Sequence, residues 1–228
     1  MQSLTLRRLV AVAAILVACV VLGARKPALA DAHGPAEHLV GRSLDDKGVY
    51  AGPVDIVIER WSTDEEYERV MKPMMKSGPA AVLAVLDKVR LRAGYVLTPG
   101  IQNTGARALL RRTWSIEFAR QVKTKDGRRI IVASRDHLPI GEFPKDVALG
   151  VAHGVDVLEF RFDKKGKGVG KLASGAKIAF DKSTKMMGIA KFDAEPVRLA
   201  DVATRPLRAR DLPPKQYYGS TKEATGSK

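Results

Sequence analysis

The chain has 228 residues, with 39 Lys plus Arg against 25 Asp plus Glu and a single cysteine. A formal charge of +14 favours anionic partners such as membrane surfaces, cell-wall polymers or acidic polysaccharide, although a basic surface kept for solubility reads the same way. One cysteine excludes a disulfide within the chain and any zinc site built on paired cysteines.

Residues 1–30 have the three parts of a secretory signal. Arg7 and Arg8 supply the positive start, Leu9 to Leu22 an almost wholly apolar run, and Ala28-Leu29-Ala30 a small-x-small cleavage site. The run is about 14 residues, shorter than the ~20 that span a bilayer, so a cleaved signal is expected rather than a retained anchor. Leu16-Val17-Ala18-Cys19 also has the form of a lipoprotein site that would tether the protein at Cys19. The apolar run continues past it through Val20, Val21 and Leu22, which favours cleavage after Ala30 and periplasmic or secreted export. The remaining 198 residues hold no cysteine, and loss of Arg7, Arg8, Arg25 and Lys26 leaves a charge of +10. A cysteine nucleophile is then excluded. Specific nucleic-acid binding is a poor match, because the basic groups lack interleaved aromatic stacking residues.

Residues 31–52 are polar and weakly periodic and read as a linker or irregular lead-in. Val54 to Trp61 alternates as a half-buried strand. Ser62-Thr63-Asp64-Glu65-Glu66 opens a helix with a capping box, and Tyr67, Val70, Met71 and Met74 form its apolar stripe. Pro73 is expected to kink or end this helix near Lys72. Gly78 marks the stop and Pro79 the start of a second helix carrying Val82, Val85, Leu86 and Val89. The two form a helical hairpin between strands.

Tyr95 to Leu97 is a short strand and Pro99-Gly100 a turn. Trp114, Ile116 and Phe118 alternate on one strand face, and Lys125-Asp126-Gly127-Arg128 turns the chain into Ile130 to Ala133. Leu138 to Gly154 reads as a long loop with one turn of helix. Val155 to Phe162, Val169 to Ala173, Lys177 to Phe180, Met187 to Phe192 and Val197 to Val202 follow as strands joined by short turns. That pattern predicts an antiparallel meander. Residues 205–228 lack a packing pattern and read as a tail without fixed structure. The fold class is α+β: six to eight antiparallel strands in a curved or partly closed sheet, with an inserted helical hairpin, forming one domain over 53–204.

Several segments resemble a group of uncharacterised secreted bacterial proteins. They are Val57 to Glu66, Gly94-Tyr95 with Thr98-Pro99, Arg128-Arg129-Ile130, Pro139-Ile140-Gly141, and Glu159 to Asp163 with Gly166-Lys167-Gly168 and Gly170-Lys171. The resemblance covers roughly Gly52 to Val202 and departs at Gly100 to Arg107 and Glu142 to Gly154. It implies export and a single β-rich domain. The group carries no assigned activity, so it implies no reaction.

No residue set fixes a chemistry, and no catalytic, cofactor-binding or metal-binding residue is assigned from sequence. His33 and His38, near Glu37, have a spacing that fits no common helical metal site. Asp136 and His137 are adjacent, so on a strand they point to opposite faces; His153 stands alone. Met71, Met74, Met75, Met186 and Met187 could be copper-seeking thioethers, but Met71 and Met74 lie on the helix stripe and read as core. Ser134 and Ser174 have no base partner in sequence. Asp163-Lys164-Lys165-Gly166 puts lysines where a calcium loop needs acids, and Gly166-x-Gly168-x-Gly170 is a hairpin feature, because no helix follows. The expected function is a non-enzymatic binding module for a small apolar or amphipathic ligand, or for an anionic envelope surface. The alternatives are a hydrolase whose site forms only in three dimensions, with Asp136 and His137 in a cleft, and an envelope assembly factor.

Overall fold

The structure is a computed structural model that describes residues 37–98, 112–142 and 154–206. In chain order these form β1 (Glu37–Leu44), β2 (Tyr50–Ile58), α1 (Asp64–Ser77), α2 (Ala80–Leu86), β3 (Gly94–Thr98), β4 (Arg112–Ile116), β5 (Phe118–Thr124), β6 (Gly127–Ser134), β7 (Asp156–Asp163), β8 (Gly168–Ser174), β9 (Ile178–Asp181), β10 (Met186–Ile189) and β11 (Leu199–Arg205). Nine strands make one antiparallel sheet in the order β4, β3, β2, β1, β11, β8, β7, β6, β5, and β9 pairs with β10 alone. The α+β class with an inserted helical hairpin is therefore the observed one.

The sheet is nearly closed on itself. Its outer strands, β4 and β5, are separated in sequence by Glu117 alone. The Glu117 amide donates to Ala133 O (3.0 Å), which carries the β5–β6 ladder back to this joint, and Ile116 O accepts from Ala93 N (2.7 Å) on the other side. The joint also breaks the alternation read from sequence. Ile116 enters the inner core, with Leu39, Ile56, Val96, Leu158 and Phe160. Phe118 enters a second core on the outside of the sheet. One irregular residue moves every later side chain to the opposite face.

The second core exists because α1, α2 and the β9–β10 hairpin cover part of the barrel exterior. Val70, Met71, Val82 and Leu86 of the helices pack with Ile131, Val157 and Met187. Thr63 caps α1: its hydroxyl accepts from Glu66 N (3.2 Å) and Glu66 Oε2 accepts from Thr63 N (2.9 Å). Arg60 grips the same carboxylate in bidentate fashion at 2.7 and 3.0 Å. Gly78, at φ 78°, ends the helix, with its amide bonded to Met74 O.

Four expectations are corrected. The helix does not end near Lys72; it runs through Pro73 to Ser77, since packing of Met71 and Met74 outweighs one missing hydrogen bond, and the carbonyl four residues back belongs to the exposed Arg69. The lead-in over 31–52 contains β1 and the start of β2, and β1 lies mid-sheet between β2 and β11. Its buried polar residues hid it: His38 Nε2 lies 2.8 Å from Asp55 Oδ1, and Ser43 Oγ donates to Gly52 O (2.8 Å). Phe118 does not share the face of Trp114 and Ile116, as described above. Finally, the C-terminal strands are not one meander, because β8 pairs with β11 and the β9–β10 hairpin leaves the sheet.

Two glycines of β8 fit the inner core. A Cβ on Gly168 or Gly170 would lie 2.7 or 2.8 Å from the rings of Phe162 or Phe160, so the aromatic row of β7 requires both. The Gly166-x-Gly168-x-Gly170 pattern is the β7–β8 hairpin, as read from sequence. Asp163 Oδ1 accepts from the turn amides of Lys165 (2.8 Å) and Lys167 (2.9 Å). Among the described residues, no helix is long and apolar enough to cross a membrane.

A charged groove beneath the β9–β10 hairpin

Strand alternation in β7 sends Leu158, Phe160 and Phe162 inward, which leaves Glu159 and Arg161 on the outer face. Arg129 of β6 stands directly across from Arg161, and Ile131 across from Glu159. The β9–β10 hairpin then lies over this face. Glu159 becomes fully buried and Arg129 nearly so, at 6% exposure.

The burial is compensated by partners. Glu159 Oε1 lies 3.0 Å from Arg129 Nε and accepts from Arg161 Nε at 2.9 Å. Its Oε2 accepts from Arg129 Nη2 (3.2 Å) and from the Ile189 amide (2.8 Å). Arg129 also donates to Asp181 Oδ2 (2.7 Å), Thr184 Oγ1 (3.0 Å) and Met187 O (3.2 Å). Burial pushes the Asp181 carboxyl upward, but hydrogen bonds from Ser183, Thr184 and Arg129 outweigh it and hold the group well below the usual carboxylate range. A charged pair removed from water needs most of its polar atoms partnered, and here only Arg129 Nε, close to Glu159 Oε1, makes no hydrogen bond.

Beside the pair, the turn Phe192–Ala194 sets the Phe192 ring against two cations. The Arg161 guanidinium carbon lies 3.6 Å from the ring centroid and Lys171 Nζ 4.7 Å from it. Lys171 Nζ also donates to Phe192 O (2.7 Å), which fixes the turn. The hairpin and turn leave an open groove of about 580 Å³ with Arg129 and Arg161 in its floor and Ile189, Phe192 and Lys191 among its walls. Its volume is in the range of small-molecule sites.

A second polar cluster lies at the other end of β7. His137 Nδ1 is 3.1 Å from Asp156 Oδ2 and Nε2 is 2.9 Å from Glu142 Oε1. Asp156 also accepts from the Leu138 amide (2.9 Å) and from the Ser174 hydroxyl. The hydrogen bond to Asp156 raises the His137 pKa, burial opposes it, and Glu142 adds to the rise, bringing it to about 9. The ring is thus a cation at neutral pH, with a carboxylate on each nitrogen, and is not available as a general base. Ser174 donates to the aspartate, not to the histidine, so the order of a nucleophilic triad is absent.

The residues singled out from sequence disperse. His38 is buried against Asp55, and Glu37 pairs with Arg128 at 2.7 and 2.9 Å; His33, His153 and Cys19 lie outside the described residues. Asp136 is exposed, whereas its neighbour His137 turns to Asp156 and Glu142. The Ser134 hydroxyl accepts from the Asp136 amide (3.0 Å). Met71, Met74, Met186 and Met187 fill the outer core and Met75 is exposed. Among the described residues, no group of three or more His, Cys, Asp or Glu could hold a metal ion. The groove residues Arg129, Glu159 and Arg161 were missed. Their alternation with apolar residues reads as a solvated outer face, and only the later hairpin covers it. Comparison with protein-family models, with curated proteins and with solved structures finds no match to this chain.

Proposed function

We propose that this chain is an exported, non-catalytic binding module that takes a small amphipathic ligand into the groove between the β9–β10 hairpin and Phe192. The observation that carries the reading is the groove itself: a charged floor meets an apolar wall, and Arg129 is already paired with both Glu159 and Asp181. Such groups orient a ligand without reacting with it. The inner face of the barrel is filled by side chains such as Phe160, Phe162 and Leu158, which supports a ligand bound outside the barrel. His137 supports the same reading, because a histidine held as a cation between two carboxylates is a structural ion cluster.

The test is mass spectrometry of the protein recovered from the exported fraction, native and denatured. The expected result is a denatured mass beginning at Asp31 and a native mass larger by a fixed amount that denaturation removes. A denatured mass beginning at Met1, or at a lipidated Cys19, refutes cleavage after Ala30. A native mass without any addition, unchanged after incubation with amphipathic probes, refutes the binding module.

A further inference from the structure

Arg161 differs from the other cation in the groove floor. Its Nε is bound to Glu159 Oε1 at 2.9 Å, and its guanidinium carbon lies over the Phe192 ring, 3.6 Å from the centroid. Those two contacts hold the group in position. They engage only one nitrogen and one π-face, and the side chain retains 45% exposure. Its two terminal nitrogens have no partner among the described residues. Arg129, by contrast, directs Nη1 and Nη2 to Asp181, Thr184, Glu159 and Met187.

We propose that Arg161 is the anion-reading element of the groove, and that the ligand is a small amphiphile whose carboxylate or phosphate monoester accepts from both terminal nitrogens of Arg161 while its apolar part lies along Phe180 and Ala190, the more exposed apolar residues of the lining. The inference rests on the binding-module reading and adds the chemical class of ligand. A fixed planar fork matches the two oxygens of such a group, and preorganisation removes the entropy normally lost in ordering a long side chain. The local charge agrees. Arg129, Arg161, Lys171 and Lys191 oppose Glu159, Asp181 and Asp193 around the groove, which leaves one positive charge uncompensated. Lys191 is exposed on the rim, where a point charge can assist without fixing geometry.

Titration calorimetry of the purified protein with octanoate, octyl phosphate and octanol tests this directly. One or both anions should bind at least about tenfold more tightly than octanol, as a charge-assisted bidentate contact implies. The tighter of the two names the head group. Arg161→Gln should bring the anions down to the octanol level and leave octanol unchanged, and Arg161→Lys should restore only part of the preference. Equal binding of octanol and both anions to the unaltered protein overturns the proposal without any variant and leaves the amphiphile groove standing. An anion preference that survives Arg161→Gln, with the fold intact by circular dichroism, also overturns it. Binding of none of the three refutes the groove reading and this proposal together.

Discussion

A Cβ on Gly188 would lie 1.7 Å from Nη2 of Arg129 and 2.8 Å from Oε2 of Glu159. Strand β10 therefore crosses the buried ion pair where only a glycine fits. The guanidinium tip cannot swing aside cheaply, because Glu159, Asp181 and Met187 O hold it. Gly188→Ala is expected to destabilise the fold by about 2 kcal/mol through overpacking. A urea melt should show a lower midpoint at unchanged slope; an unchanged midpoint would mean that the hairpin lies on the pair loosely.

Glu159 is the shared acceptor of two arginines, and it is fully buried. Glu159→Ala leaves the Arg129 charge buried without its main partner, which costs about 3 kcal/mol or more. Combining it with Arg129→Met removes both charges, and the loss should be smaller than the sum of the single losses by more than about 1 kcal/mol. Strict additivity in the double-mutant cycle would show that the two do not act as a pair.

His137 gives the fold a pH dependence with a definite sign. Its pKa rises from an ordinary 6.5 to about 9 in the folded protein, so the folded state binds the proton more tightly than the unfolded state. The resulting stabilisation is complete below pH 6.5 and is lost as pH climbs through 9. The ring is partly exposed, so screening holds the effect to about 1 kcal/mol. Tm should fall between these two values, and His137→Gln should flatten the profile over that interval. An identical slope in the variant would assign the pH dependence to other groups.

Thr63→Ala removes the hydroxyl that caps α1. The expected loss is about 1 kcal/mol, measured by the same melts. Thr63→Ser, which retains the acceptor, should restore most of it. Equal losses in the two variants would argue that the methyl group, not the cap, matters.

What could be read from sequence was what depends on near neighbours. The capping box needs only Thr63 and Glu66, and the inward row of β7 needs only Leu158, Phe160 and Phe162. The stop at Gly78 is equally local. The features that escaped depend on residues far away in the chain. His38 and Ser43 looked like surface residues because Asp55 and Gly52, which satisfy them, become partners only when β1 and β2 pair. Arg129, Glu159 and Arg161 looked solvated because alternation reports which face a residue takes and says nothing of what later covers that face. The β9–β10 hairpin has turns as short as those of a meander, so its departure from the sheet left no local mark. Glu117 concealed a change of face in a single residue.

The pairing of His38 with Arg205 and of Ser43 with Leu199 makes the first and last strands of the described fold immediate neighbours at the middle of the sheet. A ribosome produces β1 well before β11. Until β11 pairs, β1 and β8 both present open edges, and the sheet lacks the strand that joins its two halves. Closure of the sheet therefore depends on a contact between segments far apart in the chain and is slow. An unfinished chain is meanwhile exposed to strand addition from its neighbours, which makes the last strand the molecule's own safeguard against aggregation.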